Sequence, residues 1–130
     1  MAYHISISIR IKTRLEIREI LEVLEQVGIY PEGDDIYREE PFSYLDHQIC
    51  DFHYSKERMA VIIQALIKLE PELGYRPQLK CMDDLAMSVW GYLITPAEAI
   101  PYRGVMRRDK REPLCKPIPR INPGGSGNDG

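Results

Sequence analysis

The sequence predicts a single α+β domain, in which a mostly antiparallel sheet carries two main helices on one of its faces. Three observations predict this class. The chain has 130 residues, which is enough for one domain to bury a core. Its opening stretch, YHISISIRI, alternates apolar and polar residues with the period of a half-buried strand. Two later stretches carry apolar residues at the spacing of amphipathic helices.

The first strand and the first helix are the clearest elements. Apolar residues at alternate positions over 3–11 point to one face of a strand. Thr13, followed by Glu16 three residues later, has the pattern of a capping box and predicts the start of a helix. Gly28 follows at the position where a left-handed residue ends many helices. The apolar stripe of this helix consists of Ile17, Ile20, Leu21, Leu24 and Val27.

The segment after the first helix predicts little regular structure. Pro31, Gly33 and Pro41 interrupt any repeating pattern, so we expect only a short edge strand around 36–39. Alternation returns over 47–54 and predicts a second long strand there.

A second helix and a final strand complete the predicted domain. Ser55 can cap the helix, and Pro71 marks its end because the residue before a proline avoids the helical region. The apolar stripe of this helix consists of Met59, Ile62, Ile63, Leu66 and Leu69. After a linker, the stretch LAMSVWGYLI fits a buried strand or a buried helix, and its Val, Trp and Tyr content with Gly91 favours a strand. The segment TPAEAIP predicts a single helical turn capped by Thr95.

In chain order the predicted elements are strand, helix, weak strand, strand, helix and strand. This is the βαββαβ order of ferredoxin-like domains, and the match concerns element order only. In that arrangement both helices cover one face of the sheet and leave the other face open. We expect residues 1–102 to form this globular domain and residues 103–130 to form an extended basic tail with a flexible end.

Charge is distributed unevenly along the chain. Residues 1–102 carry ten Lys or Arg against seventeen Asp or Glu, a net charge of −7, whereas residues 103–130 carry seven against three, a net charge of +4. The acidic body is expected to repel nucleic acid or to mimic it, and the tail to contact phosphate or an acidic partner. The basic residues of the tail are Arg103, Arg107, Arg108, Lys110, Arg111, Lys116 and Arg120.

The sequence predicts a cytoplasmic protein with no membrane partner. No apolar run approaches the roughly 18 residues of a spanning helix, and the N-terminus lacks the pattern of a signal peptide. Cys50, Cys81 and Cys115 lie far apart and form no C-x-x-C pair, so we expect reduced thiols.

The open face of the predicted sheet is the main candidate binding surface. Arginine and aromatic side chains are enriched in protein interfaces, and exposed aromatic residues of a four-stranded sheet can also stack on bases. The residues predicted on this face are His4, Ser6, Ser8, Arg10, Asp51, His53, Trp90 and Tyr92. As an alternative, Trp90 and Tyr92 are covered by the segment 95–120.

A repeated tripeptide raises a catalytic alternative. HIS at 4–6 and HYS at 53–55 both fit H-x-S, and two-histidine phosphoesterases use paired H-x-[ST] motifs to bring two imidazoles and two hydroxyls to one phosphate. We expect the first and third strands to run parallel, which separates His4 from His53 by roughly 15–20 Å at about 3.3 Å per residue. Ser55 is also assigned as a helix cap. This hypothesis is therefore secondary.

The stretch HQICDFH is the one candidate for metal binding, with His47, Cys50 and His53 at intervals of three. On a regular strand this interval turns Cys50 away from both histidines, so the three residues cannot complete a tetrahedral site without a bulge. The acidic loop EGDDIYREE lacks the ligand spacing of a calcium loop. We therefore expect neither a metal nor another cofactor.

Taken together, these patterns favour a non-catalytic protein-interaction module. We expect it to inhibit or regulate a nucleic-acid-handling enzyme through its acidic body and its open sheet face. The expected partner is a protein, and a homodimer is a further option. Nucleic-acid binding through the basic tail is the first alternative, and a small phosphoesterase that uses His4 and His53 is the second.

Overall fold

The computed structural model describes residues 3–73, 77–103, 112–113 and 116–121. These residues form an α+β fold with an antiparallel sheet and two helices, which confirms the predicted class. The first half contains β1 (Tyr3–Thr13), α1 (Ile17–Glu25), a 3₁₀ turn (Gly33–Asp35), β2 (Ile36–Glu39), β3 (Phe42–Tyr54) and α2 (Lys56–Lys68). The second half contains β4 (Leu79–Asp83), β5 (Ser88–Ile94), β6 (Glu98–Arg103), β7 (Glu112–Pro113) and β8 (Ile118–Pro119).

The sheet is wider than the sequence predicts. Its main path runs β2-β3-β1-β4-β5-β6-β7, with every neighbouring pair antiparallel, and β8 also pairs with β6. The ferredoxin-like order has four strands, whereas this path has seven, so that order does not describe the observed sheet. The difference arises after α2. The predicted linker contains β4, and the predicted helical turn at Thr95 is instead the tight connection between β5 and β6.

The hydrophobic core lies between the two helices and the isoleucine face of β1. Because strand residues alternate between faces, β1 contributes every second side chain, and the helices contribute one stripe each. The buried residues of the core include Ile5, Ile7, Ile9, Ile11, Ile20, Leu24, Phe52, Met59, Ile62, Ile63, Leu66, Leu69 and Leu79. Leu21 lies outside this cluster with 37% of its surface exposed, so its predicted place in the core is wrong. The side chains of α1 and of the turn after it that pack on the core are Ile20, Val23, Leu24 and Val27, so Val23 takes the place predicted for Ile17 and Leu21.

Helix α1 begins three residues later than the Thr13 cap predicts. Thr13 is the last residue of β1, and its buried hydroxyl donates to the Leu69 carbonyl at 2.6 Å, at the end of α2. The N-cap is Glu16, which forms a capping box with Glu19. Two other predicted helix-end residues are confirmed, since Ser55 accepts a hydrogen bond from the Arg58 amide and Gly28 has a φ of 80°.

Neither described helix can cross a bilayer. Helix α1 has nine residues and α2 has 13, and each has polar residues on its outer face.

Both helices contribute to the same core and therefore lie on one side of the sheet, as predicted.

Candidate functional site

The face of the sheet opposite the helices is formed by the residues that alternate with the core isoleucines. On β1 these are His4, Ser6, Ser8 and Arg10, as predicted, followed by Lys12. Strand β3 adds His53, Gln48 and Asp46 as the direct partners of His4, Ser8 and Arg10. Within the described residues no helix covers this face, because α1 and α2 both pack on the isoleucine side.

Trp90 and Tyr92 lie on the other face, so their predicted place on the open face is wrong. Trp90 is paired with Cys81 and Tyr92 with Leu79, and both partners are fully buried in the core. The indole also packs edge-on against Tyr54, with ring centroids 6.3 Å apart. The sequence could not show this because both sets of alternating residues in β5 are largely apolar. The pattern therefore predicts a strand but does not indicate which of its two faces is buried.

The alternate residues of β5 therefore face outwards and form an apolar patch together with residues of β4 and β6. The register pairs Met82 with Val89, Leu93 with Ile100 and Gly91 with Tyr102. Each large side chain in this set is half-buried. We name Met82, Val89, Leu93, Ile100 and Tyr102 the apolar patch.

Aromatic and cationic side chains meet at the opposite end of the open face. The rings of Tyr37 and Tyr44 are stacked with centroids 5.0 Å apart and an interplanar angle of 13°. The Lys12 ammonium lies 4.3 Å from the centroid of Phe42, and the Arg14 guanidinium lies 4.9 Å from it. Such contacts stabilise both partners. We name Lys12, Arg14, Tyr37, Phe42 and Tyr44 the aromatic–cation cluster.

This cluster is absent from the sequence-based prediction, because Pro31, Gly33 and Pro41 predict a loop there with only a short edge strand around 36–39. The usable signal was the alternation of Phe42 and Tyr44 ahead of the predicted strand. In the structure, β3 begins at Phe42, five residues earlier than predicted.

His4 and His53 are direct neighbours, contrary to the separation expected from parallel strands. Strands β1 and β3 run antiparallel with His4 opposite His53, and the two ring centroids are 5.3 Å apart. The Nδ1 atom of His4 is 2.5 Å from the Oδ1 atom of Asp51. Both side chains are mostly exposed, at 54% for His4 and 79% for Asp51. Three of the predicted site residues are therefore brought together at one end of β1.

An irregularity in the β1–β3 pairing explains how Asp51 reaches His4. The register shifts between Ile5 and Ile7, so the two residues Cys50 and Asp51 lie opposite the single residue Ser6. This is the arrangement of a β-bulge, which re-aims side chains on the bulged strand. The Ser6 hydroxyl donates to the Cys50 carbonyl at 3.3 Å.

His47 does not join the other histidines. Its Nδ1 atom is 2.7 Å from Asp35 Oδ2 beside the 3₁₀ turn, and only 13% of its side chain is exposed. The hydrogen bond with His47 holds the pKa of Asp35 below its ordinary value. The predicted spacing of His47, Cys50 and His53 is thus not a shared site. The described residues contain no group of three or more His, Cys, Asp or Glu side chains arranged to hold a metal ion.

The structure describes three of the seven predicted basic tail residues. Arg103 and Lys116 are exposed, and the Arg120 guanidinium donates to the Pro96 carbonyl and pairs with Glu70 at 3.4 Å. The other four lie outside the described residues: Arg107, Arg108, Lys110 and Arg111. The strand pair β6–β8 places Ile118 against the core. Nucleic-acid binding by this segment stays a prediction.

The two described cysteines are expected to differ sharply in reactivity. Burial raises the pKa of the Cys81 thiol to about 12, whereas Cys50 is exposed. The thiolate is the reactive form, so Cys81 is protected at neutral pH. In a Cys115→Ser background, we expect native protein to react with a chromogenic disulfide at one thiol and unfolded protein at two. The additional Cys50→Ser change should abolish the native reaction, and a native reaction that persists would show that Cys81 is accessible.

Comparison with protein-family models, with curated proteins and with solved structures found no match for this chain.

Proposed function

We propose that this chain is a non-catalytic protein-interaction module, which binds and regulates a nucleic-acid-handling enzyme in the cytoplasm. The observation that carries the proposal is the open sheet face, which combines the aromatic–cation cluster at one end with the apolar patch at the other. Aromatic anchors beside apolar and charged residues are typical of interface hot spots. The proposed surface is the predicted open face, but its aromatic anchors are those of the aromatic–cation cluster instead of Trp90 and Tyr92.

Acidic residues beside the aromatic–cation cluster support the choice of partner. Strand β2 forms one edge of the sheet, and α1 packs against it. Exposed carboxylates lie on α1, which packs on the core side of the sheet, in the loop that follows α1, on β2 and in the turn after β2: Glu19, Glu22, Glu25, Glu32, Asp34, Glu39 and Glu40. We name these residues the acidic edge. Its charge complements a basic surface, and an enzyme that holds nucleic acid has such a surface for phosphate.

The position of the tyrosine pair strengthens this interpretation. Tyr37 projects from β2 itself, with 51% of its surface exposed, and stacks on Tyr44. A partner over this edge would meet the stacked rings together with the Glu39 carboxylate, which shares the exposed face of β2 with Tyr37. A protein with this arrangement can compete with nucleic acid for the same basic groove.

The experiment is an affinity capture from the source organism, followed by calorimetric titration of the captured and purified protein. We expect Tyr37→Ala to weaken binding by about 1–3 kcal/mol, the cost of truncating an interface anchor. Val61→Ala is the matched control, because Val61 is also 51% exposed but lies on α2. Single-stranded nucleic acid should compete with this chain for binding to the captured protein. Equal affinities for both variants, or capture unaffected by nucleic acid, would contradict the proposal.

The phosphoesterase alternative is favoured by one observation, the adjacency of His4 and His53. Two further features oppose it. Ser55 already accepts the amide hydrogen bond that caps α2, and His4 lies on an exposed surface. Turnover of a 2′,3′-cyclic nucleotide that is lost in both His4→Ala and His53→Ala would replace the interaction proposal with this one.

A further inference from the structure

The His4–Asp51–His53 cluster has a geometry that the proposed interaction does not require. It contains two neighbouring imidazoles, and one of them is hydrogen-bonded to a carboxylate through its Nδ1 atom. A carboxylate accepts this hydrogen bond, so the proton of neutral His4 resides on Nδ1 and Nε2 keeps its lone pair. Metal-binding histidines are commonly oriented in this way by a carboxylate.

We propose that His4 and His53 form a bidentate site for a divalent transition-metal ion, with Asp51 as the positioning residue of His4. Imidazole nitrogens suit Zn²⁺, Ni²⁺ and Cu²⁺ rather than Mg²⁺ or Ca²⁺. The remaining coordination positions are open to water. This inference is independent of the proposed function.

The separation of the rings agrees with a shared ion. Zinc binds an imidazole nitrogen at about 2.0–2.1 Å, which puts each ring centre about 3.2 Å from the metal. At a tetrahedral angle of about 109° two such ring centres are about 5.2 Å apart. The observed distance between the His4 and His53 centroids is 5.3 Å. The ring-to-ring distance therefore meets one geometric requirement for two ligands of a shared tetrahedral ion.

The backbone holds this spacing in place. His4 and His53 are opposite residues of an antiparallel pair, and the paired strands β1 and β3 are the longest in the described structure. The bulge beside them turns Asp51 towards His4. The site therefore needs little reorganisation before a metal binds, which favours affinity.

The test is a calorimetric titration of the full chain with ZnCl₂ at pH 7.5 in a non-chelating buffer. A Cys50→Ser, Cys115→Ser background removes the exposed thiol of Cys50 and the thiol of Cys115, which lies outside the described residues. We expect one site, whose affinity falls at least tenfold in His4→Ala and in His53→Ala and by roughly tenfold in Asp51→Asn. His47→Gln is the matched control, because it removes a histidine outside the cluster and should leave the affinity unchanged.

Three outcomes would overturn the site. The first is unchanged zinc affinity in His4→Ala. The second is unchanged zinc affinity in His53→Ala, which would show that His53 is not a ligand. The third is a loss of zinc affinity in His47→Gln as large as the loss in His4→Ala. Electron paramagnetic resonance with Cu²⁺ adds a readout of the ligands, since the signal of two coordinating nitrogens should become that of one in either single-histidine variant.

Discussion

Replacement of Leu24 by alanine is expected to lower the free energy of unfolding by about 2–5 kcal/mol, the range for a buried leucine whose removal leaves a cavity. Leu24 is fully buried and belongs to the cluster that joins α1 to β1 and α2. The chain cannot fill the space, because its neighbours are held by a strand and by a second helix. Denaturant unfolding followed by circular dichroism measures the loss.

Leu21→Ala is the matched control for this prediction. It removes the same atoms one turn earlier on α1, from a side chain that is 37% exposed. We expect a loss below about 1 kcal/mol, as for other changes near the surface. Equal losses for Leu21→Ala and Leu24→Ala would contradict the assigned buried face of α1.

Replacement of Trp90 by alanine is expected to destabilise the fold by about 2–4 kcal/mol, slightly less than for a fully buried tryptophan. The indole packs against the core and edge-on against Tyr54. We expect the variant to bind the partner as wild type does under conditions where it is folded, because this side chain is on the helix face. Thermal unfolding and calorimetric titration separate the two effects.

Val89→Ala tests the same strand from its other face. Val89 is half-buried in the apolar patch, so its truncation should cost less than about 1 kcal/mol of stability and should weaken partner binding. If Trp90→Ala weakened binding while Val89→Ala did not, the two faces of β5 would be reversed.

The sequence was sufficient to predict the elements whose two faces differ strongly. Strand β1 alternates isoleucine with polar residues, so both its period and its buried face could be read, and α2 has an equally clear stripe. Strand β5 has apolar residues on both faces, which left the orientation of Trp90 undetermined. Strand β4 is short, and its pairing with β1 depends on a contact across more than 60 residues of chain that no local pattern encodes.

The candidate site was predictable only in part, for a related reason. The polar residues of β1 were assigned to the correct face, but their neighbours depend on strand direction and register. The antiparallel pairing of β1 with β3 and the bulge at Cys50 and Asp51 bring His4, His53 and Asp51 together. Neither feature has a sequence signal of its own. The aromatic–cation cluster has no such signal either, because Tyr37, Phe42 and Tyr44 flank Pro41, which predicts a loop, and their contacts with Lys12 and Arg14 depend on the pairing of β1 with β3.

The central claim is that the open sheet face binds a protein, and site-specific photo-cross-linking tests it most directly. A benzophenone side chain would be placed at Tyr44 on the open face and, in a separate variant, at Val61 on the outer surface of α2. After irradiation in a lysate of the source organism, the proposal predicts a protein adduct from position 44 that resists nuclease and is absent from position 61. An adduct only from position 61, or an adduct from position 44 that nuclease removes, would contradict it.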